Sequence, residues 1–325
     1  MKIAVTGGTG FLGSHITKVL EQAGHEMLIV SDSSPRTSQD VIDLKVHSKF
    51  LTGDLRDLSF ATESLRGIGK VYHFAADIGN VAYLHGSQPR EQSALVTNMM
   101  IDSNVIKACL ANSVSTLIYA SSVSVYPKSE QMGQKAAFKE EDSERLVDPE
   151  GGYGWAKYVA ERQLAVLPDI KVGIARIFHA YGPNIYLKED RSQVIGSLIR
   201  KAIRYPKEDF VVWGDGTQRR AFLYIDDFLD GLFRLDDYVE TKGNLTVNLG
   251  STEETTIKDL AERVIGISGK RITPKYDTTK PVGVLRRLQD LTRAEKVLGW
   301  KPKTKLADGL AKTYEWAERR TASWS

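Results

Sequence analysis

Residues 2–13 read Lys2-Ile3-Ala4-Val5-Thr6-Gly7-Gly8-Thr9-Gly10-Phe11-Leu12-Gly13. An apolar run feeds a turn with glycines at 7, 10 and 13, and the helical pattern Ser14-His15-Ile16-Thr17-Lys18-Val19-Leu20 follows at once. Each glycine has its own task at such a junction. Gly7 permits a sharp turn out of the strand, Gly10 lets the backbone approach a pyrophosphate, and Gly13 lets the helix pack close to the sheet. The N–H groups at the helix start, on Phe11 and Leu12, then meet the phosphates. A glycine-rich turn is weak evidence by itself; it gains weight from the acidic residue that ends the next strand, in Met27-Leu28-Ile29-Val30-Ser31-Asp32. A carboxylate at that tip accepts both ribose hydroxyls of NAD and repels the extra phosphate of NADP. Arg36, in the polar loop beyond, reads as a solvated charge. Phe50-Leu51-Thr52-Gly53-Asp54-Leu55 gives a third strand end, with Asp54 and Leu55 placed to meet the adenine; a plain loop cap is the equal alternative for Asp54.

From Met1 to about Leu167, short β-branched runs (3–5, 27–30, 50–51, 71–75 and 117–120) alternate with helical patterns, as expected of parallel strands with crossover helices on both faces. The fourth run, Lys70-Val71-Tyr72-His73-Phe74-Ala75-Ala76, leads into Asp77-Ile78-Gly79-Asn80, so Ala75 should open beside the nicotinamide, where ligands gather at strand carboxyl ends. A long helix is predicted over 91–111, with Val96, Met99, Met100, Val105 and Ile106 on its apolar face and Asn98 pinning backbone. From about Lys171 the alternation loosens into mixed helices and loops. The domain expectation is therefore a cofactor-binding unit over 1–170 and a smaller mixed α/β substrate unit over 171–325, with some chain crossing back to the sheet.

With 44 Lys and Arg against 41 Asp and Glu, the net charge of +3 makes no case for nucleic acid, because the basic residues are scattered and form no stripe. Cys109, the one cysteine, leaves no disulfide framework and no thiolate metal site. A reducing compartment, no metal, no membrane segment and a soluble cytoplasmic protein are the expectations.

The fifth strand ends in Ala120-Ser121-Ser122-Val123-Ser124-Val125-Tyr126-Pro127. Some thirty residues on, Gly151-Gly152-Tyr153-Gly154-Trp155-Ala156-Lys157 opens a helix with Tyr153 and Lys157 four apart on one face. A phenol beside an ammonium suits base chemistry near neutral pH, since the positive charge stabilises phenolate. The YxxxK spacing is common by accident; it counts here because a glycine turn precedes it and a serine-rich strand end lies between.

These motifs together, TGGTGFLG, HFAA, SSVSVYP and Tyr153-x-x-x-Lys157, resemble the extended short-chain dehydrogenase/reductase superfamily, and within it the nucleotide-sugar epimerases and dehydratases. The resemblance implies a Rossmann-like doubly wound parallel sheet. It also implies NAD as cofactor, Tyr153 as the base that takes a proton from a sugar hydroxyl, Lys157 holding the nicotinamide ribose, and Ser122 hydrogen-bonding the same hydroxyl, with Ser121 the fallback. In the related dehydratases and decarboxylases a carboxylic acid stands near the positions of Val123 and Ser124, so those chemistries rank below epimerisation here.

Among the epimerases the chain is most similar to the GDP-mannose 3,5-epimerases. Ala75-Ala76-Asp77-Ile78-Gly79 resembles that family's loop against the sugar, which implies substrate contacts at Asp77 and Gly79. Gly182-Pro183-Asn184-Ile185-Tyr186-Leu187-Lys188-Glu189-Asp190-Arg191 aligns without a gap and puts Lys188 on a catalytic lysine. Pro281-Val282-Gly283-Val284-Leu285-Arg286-Arg287 puts Arg287 on a substrate arginine, and Arg220 is the second cation for a diphosphate. Ser124 stands where the family has an acid/base cysteine, and a hydroxyl is much less acidic. His179 stands where an Asn commonly sits beside the sugar. The expected activity is epimerisation of a GDP- or UDP-linked sugar through transient oxidation at C4, either 3,5- or 4-epimerisation. The alternatives are a net 4-oxidoreductase on the same substrates and a non-catalytic NAD-binding regulator. A homodimer is implied, with Asn104 and Cys109 between subunits.

Overall fold

β1 (Ile3–Thr6) is buried along its whole length, and its residues point by turns into two different apolar cores. Ile3 and Val5 face one side of a parallel sheet, Ala4 the other. That is how a strand covered on both faces reads as an unbroken apolar run. The structure is a computed structural model and describes residues 1–32, 48–132, 137–188 and 191–322; Arg36, Glu189 and Asp190 lie outside the described residues.

The sheet has seven strands, β1, β2 (Met27–Ser31), β3 (Lys49–Thr52), β4 (Lys70–His73), β5 (Thr116–Ser122), β6 (Lys171–Ile177) and β7 (Leu245–Leu249), in the order 3-2-1-4-5-6-7. Every pairing is parallel. The order reverses between β1 and β4, and a sheet of this kind binds ligands in the crevice outside that switch point. This is the doubly wound α/β fold that the alternation predicts. β6 and β7 arise beyond residue 170, so the second half of the chain returns to complete the sheet.

Helix α1 (Phe11–Gln22) follows the glycine turn, α2 (Gln88–Ala111) and α3 (Gly151–Ala165) pack against each other on one face, and α5 (Ile225–Lys242) covers the other after α4 (Val194–Arg204). The second half also forms small sheets. Strand Arg219–Ala221 lies between Glu254–Thr256 and Arg286–Arg287, and Val211–Trp213 pairs with Lys275–Asp277. The closing helix α6 (Leu306–Thr321) buries Leu306, Leu310 and Tyr314 in the larger core. No helix among the described residues is long and apolar enough to cross a membrane.

Two expectations for α2 need correcting. Val105 and Ile106 are buried, but Val96 and Met100 are exposed, because helical spacing marks an apolar stripe without saying which apolar residues meet this chain's own sheet. Cys109 is fully buried in the chain's own core, where burial pushes its thiol up to about 12, and the side-chain amide of Asn104 donates to the Leu55 and Arg56 carbonyls. Cys109 is therefore closed to a second subunit, while Asn104 stays partly exposed.

Candidate active site

The glycine turn is tight at Gly7 and Gly13. Gly7 has φ +67°, and a Cβ there would come within 2.6 Å of the Ala75 nitrogen. A Cβ on Gly13 would collide with the Gly7 carbonyl, whereas one on Gly10 meets only that oxygen, at 3.2 Å, and is otherwise open to the cavity. Gly10 is also the N-cap of α1 and offers no side-chain hydrogen bond, so the first N–H groups of the helix face a ligand unopposed. With Asp32 at the end of β2, this cradle fits a dinucleotide.

The strand ends and the second half of the chain enclose a cavity of about 1230 Å³. Every residue singled out from the sequence lines it: Gly7, Gly10, Phe11, Leu12, Asp32, Asp54, Leu55 and Ala75 on the cofactor side, with Asp77, Gly79, Ser122, Ser124, Tyr153, Lys157, His179, Lys188, Arg220 and Arg287. Asp54 is forked by Arg56, at 2.9 and 2.6 Å, and that hydrogen bonding holds its carboxyl below the usual range. The Asp77 carboxylate accepts from the Tyr83 hydroxyl at 2.7 Å, while Asn98 grips the Asp77 backbone at both N–H (2.8 Å) and C=O (2.9 Å). Arg191 donates to the Tyr83 hydroxyl at 2.8 Å and lies 4.4 Å over that ring, fastening the segment that carries the exposed Lys188 to the end of β4.

Tyr153 and Lys157 sit near the start of α3 and are 6% and 2% exposed. Ser122 hydrogen-bonds Tyr153, and its hydroxyl also accepts from the Ser124 N–H at 3.2 Å. Ser121 also lines the cavity, and its hydroxyl donates to buried Glu161 at 2.5 Å. One electrostatic expectation is overturned. The Lys157 ammonium lies 5.9 Å from the Tyr153 ring centroid and pairs instead with buried Asp102 at 3.4 Å. The Tyr153 pKa is consequently raised, first by burial and then by the Asp102 charge, with the Ser122 hydrogen bond in partial opposition.

The arginines are sorted by strand register. Parallel pairing sets Arg286 beside Arg219 and Arg287 beside Arg220, so successive residues point to opposite faces. Glu254 lies 2.8 Å from Arg286 and 3.8 Å from Arg219 on one face, and Arg220 and Arg287 line the cavity on the other. Arg220 donates to the Val284 carbonyl at 2.6 Å and the Arg219 carbonyl at 2.8 Å, and burial beside the Arg287 charge pushes its pKa down to about 9. Two buried guanidiniums side by side favour an anion between them. His179 stands near both with φ +42°; burial and the two Arg charges hold it neutral, and its Nε2 has no hydrogen-bond partner among the described residues.

Two residues at this site escaped the sequence. Glu150 caps α3 three residues before Tyr153; its N–H donates to the Ser124 carbonyl at 2.8 Å, and its carboxylate pairs with Arg287, which also donates to Gln131 at 2.8 Å. The Glu150 backbone thus holds Ser124, while its carboxylate is committed to Arg287. Asp102 is the other. Its partners lie 29, 17 and 55 residues away, at separations that carry no local pattern.

Comparison with known proteins agrees with this geometry. The chain is 30% identical over 325 residues to a GDP-mannose 3,5-epimerase of Oryza sativa subsp. japonica, an alignment covering 98% of the chain and 82% of the relative. It superposes with TM-score 0.83 at 27% identity on a UDP-glucuronic acid 4-epimerase from Bacillus cereus solved with UDP-glucuronic acid and NAD, covering 98% of the chain and 100% of that structure. A UDP-glucose 4-epimerase from Thermotoga maritima shares the fold, with TM-score 0.85 at 24% identity over 98% of the chain and 99% of its own. The sequence profile of the NAD dependent epimerase/dehydratase family matches residues 3–250. With its glycine cradle, its 3-2-1-4-5-6-7 sheet and NAD as its cofactor, the chain belongs to the NAD dependent epimerase/dehydratase family.

Proposed function

We propose that the chain is an epimerase of a nucleoside-diphosphate sugar, GDP- or UDP-linked, that works by transient oxidation at C4. One observation carries the reading: a single cavity holds the Ser122–Tyr153–Lys157 group at strand ends and the neighbouring guanidiniums of Arg220 and Arg287. Arg220 and Arg287 hold the diphosphate. Tyr153, hydrogen-bonded by Ser122, takes the proton of the C4 hydroxyl. NAD, held along Gly7, Gly10, Phe11 and Leu12 and by Asp32, Asp54, Leu55 and Ala75, would accept the C4 hydrogen with its electron pair and give it back. Asp77, Gly79 and His179 border the sugar. If the inverted centres are C3 and C5, made acidic by the neighbouring ketone, Lys188 and Ser124 are the second acid/base pair. The domain reading, cofactor over 1–170 and substrate over 171–325, follows this division of labour.

The experiment follows purified enzyme with GDP- and UDP-sugars in deuterated water. An inverted sugar with no net change in reduced-nicotinamide absorbance supports epimerisation, and deuterium at C3 or C5 selects the 3,5-reaction. Stoichiometric production or consumption of NADH would replace it with a net 4-oxidoreductase. Arg220→Gln is expected to raise KM for the sugar nucleotide about 10–100-fold, the value of a charge-assisted hydrogen bond, with kcat little changed. An unchanged KM would remove the diphosphate from this part of the cavity.

A cytoplasmic homodimer is part of the proposal. Its supports are the free buried thiol of Cys109 and the exposure of Val96, Met100 and Trp155 on the adjoining helices α2 and α3. Sedimentation of the wild type against Met100→Glu measures it, with dissociation of the variant expected.

A further inference from the structure

Asp102 has no part in the reaction just proposed, and a carboxylate 1% exposed in the middle of α2 is costly unless something requires it. Its Oδ1 lies 3.0 Å from His73 Nε2 and 3.4 Å from Lys157 Nζ, and its Oδ2 accepts from the Tyr119 hydroxyl at 2.8 Å. On the far side of the imidazole, His73 Nδ1 is 2.6 Å from the Thr6 hydroxyl, which accepts in turn from the Ala75 N–H at 3.3 Å. One assignment of protons satisfies the whole chain. Nε2–H donates to Asp102, the Thr6 hydroxyl donates to Nδ1, and the Thr6 oxygen is left to receive the Ala75 N–H. Burial lowers the His73 pKa, so the imidazole is neutral and the counter-ion of Asp102 is Lys157. For Asp102 burial acts upward, yet the Lys157 charge and the His73 and Tyr119 hydrogen bonds hold its carboxyl below the usual range.

The other groups facing Lys157 are the Tyr119 ring from β5, 4.6 Å from its nitrogen, His73 from β4, and Tyr153 and Glu161 from its own helix. Burial drives the Lys157 pKa down, and Asp102 is the principal opposing charge.

We infer that Asp102 is a positioning residue: its carboxylate keeps the buried Lys157 side chain an ammonium, fixed beneath Tyr153, and ties it through His73 and Thr6 to the backbone at Ala75. The catalytic half of this inference rests on the proposed function, because an ammonium is useful there only if Tyr153 is the base and Lys157 holds the cofactor ribose.

Asp102→Asn keeps the shape and removes the charge. Lysine in an unfolded chain titrates at about 10.4. A lysine whose folded pKa lies below that value penalises folding while pH is under the folded pKa, and the penalty fades as pH rises through it. Losing Asp102 lowers the folded pKa further. The ratio of unfolding constants between variant and wild type, from urea titrations without substrate, should therefore narrow at least threefold between pH 7 and 9. In turnover assays the alkaline fall of kcat should move at least one pH unit lower. A ratio constant from pH 7 to 9 with an unmoved alkaline limb would reduce Asp102 to packing and overturn the inference.

If Asp102→Asn fails to fold, Asp102→Asn with Lys157→Met decides. Recovery of a cooperative transition shows that the stranded ammonium was the fault, and no recovery overturns the inference. Because stability is read without substrate, absence of epimerase activity would sink the proposed function and leave this coupling standing.

Discussion

Tyr153→Phe is expected to lower turnover of the nucleotide sugar by about three orders of magnitude while the protein still folds and binds NAD. The phenol is 6% exposed, and Phe fills the same space without the hydroxyl. What disappears is the hydroxyl proposed to exchange a proton with the sugar, together with the hydrogen bond from Ser122, which is worth about 1 kcal/mol of stability. The pH dependence carries a second signature. Since burial first and the Asp102 charge second raise the Tyr153 pKa, the phenolate is the minor form at neutral pH, and wild-type turnover should climb as pH rises until the Lys157 ammonium is lost. That slope should vanish from whatever activity remains in the Phe variant. Steady-state kinetics across pH, with NAD affinity measured by fluorescence quenching, tests both. A loss smaller than tenfold would take the base role from Tyr153.

Arg176→Met should cost about 3–5 kcal/mol of stability, the usual penalty for stranding a buried charge. Arg176 on β6 is 1% exposed and forks Glu161 on α3 at 3.0 and 2.6 Å; it also donates to the Tyr126 hydroxyl at 3.1 Å, the Glu140 carbonyl at 2.7 Å and the Ser143 hydroxyl at 2.8 Å. Glu161 is fully buried and receives Ser121 besides. Removing the guanidinium leaves a buried carboxylate without its hydrogen-bonded cation, since Lys157, the other positive charge near it, is paired with Asp102. The network joins the helix of Tyr153 to the strand end of Ser122, so the loss should appear as lower stability and looser catalytic geometry together. Urea unfolding of Arg176→Met against the Arg176→Met, Glu161→Leu pair measures it, with the pair recovering most of the deficit. A single variant within about 1 kcal/mol of wild type would show that the charge is not stranded.

What the sequence disclosed is what lies close along the chain. The glycine spacing, the acid after β2 and the Tyr153–Lys157 interval are each set within one strand–turn–helix unit, and local backbone rules read them directly. Arg220 and Arg287 were legible through resemblance, but the pairing that sorts them from Arg219 and Arg286 is a contact between distant segments. Asp102, Glu150 and the Arg191–Tyr83–Asp77 fastening were hidden for the same reason. Each joins elements brought together only by the sheet order, and a charged residue inside a helical pattern looks solvated until the neighbouring helix covers it. The exposed Val96 and Met100 show the opposite error. An apolar stripe says that a face seeks cover, and leaves open whether this chain provides it.

The pairing of Arg219–Ala221 with Arg286–Arg287 makes the anion grip a question of odd and even. Deleting one residue in the 281–285 connection, with the ladder re-forming one step along, would turn the Arg287 side chain toward Glu254 and present Leu288 to the cavity, whereas inserting one would present Arg286 there. A change of two residues keeps the parity. A one-residue deletion in this connection should therefore weaken the anion grip more than a one-residue insertion, which leaves an arginine on the cavity face.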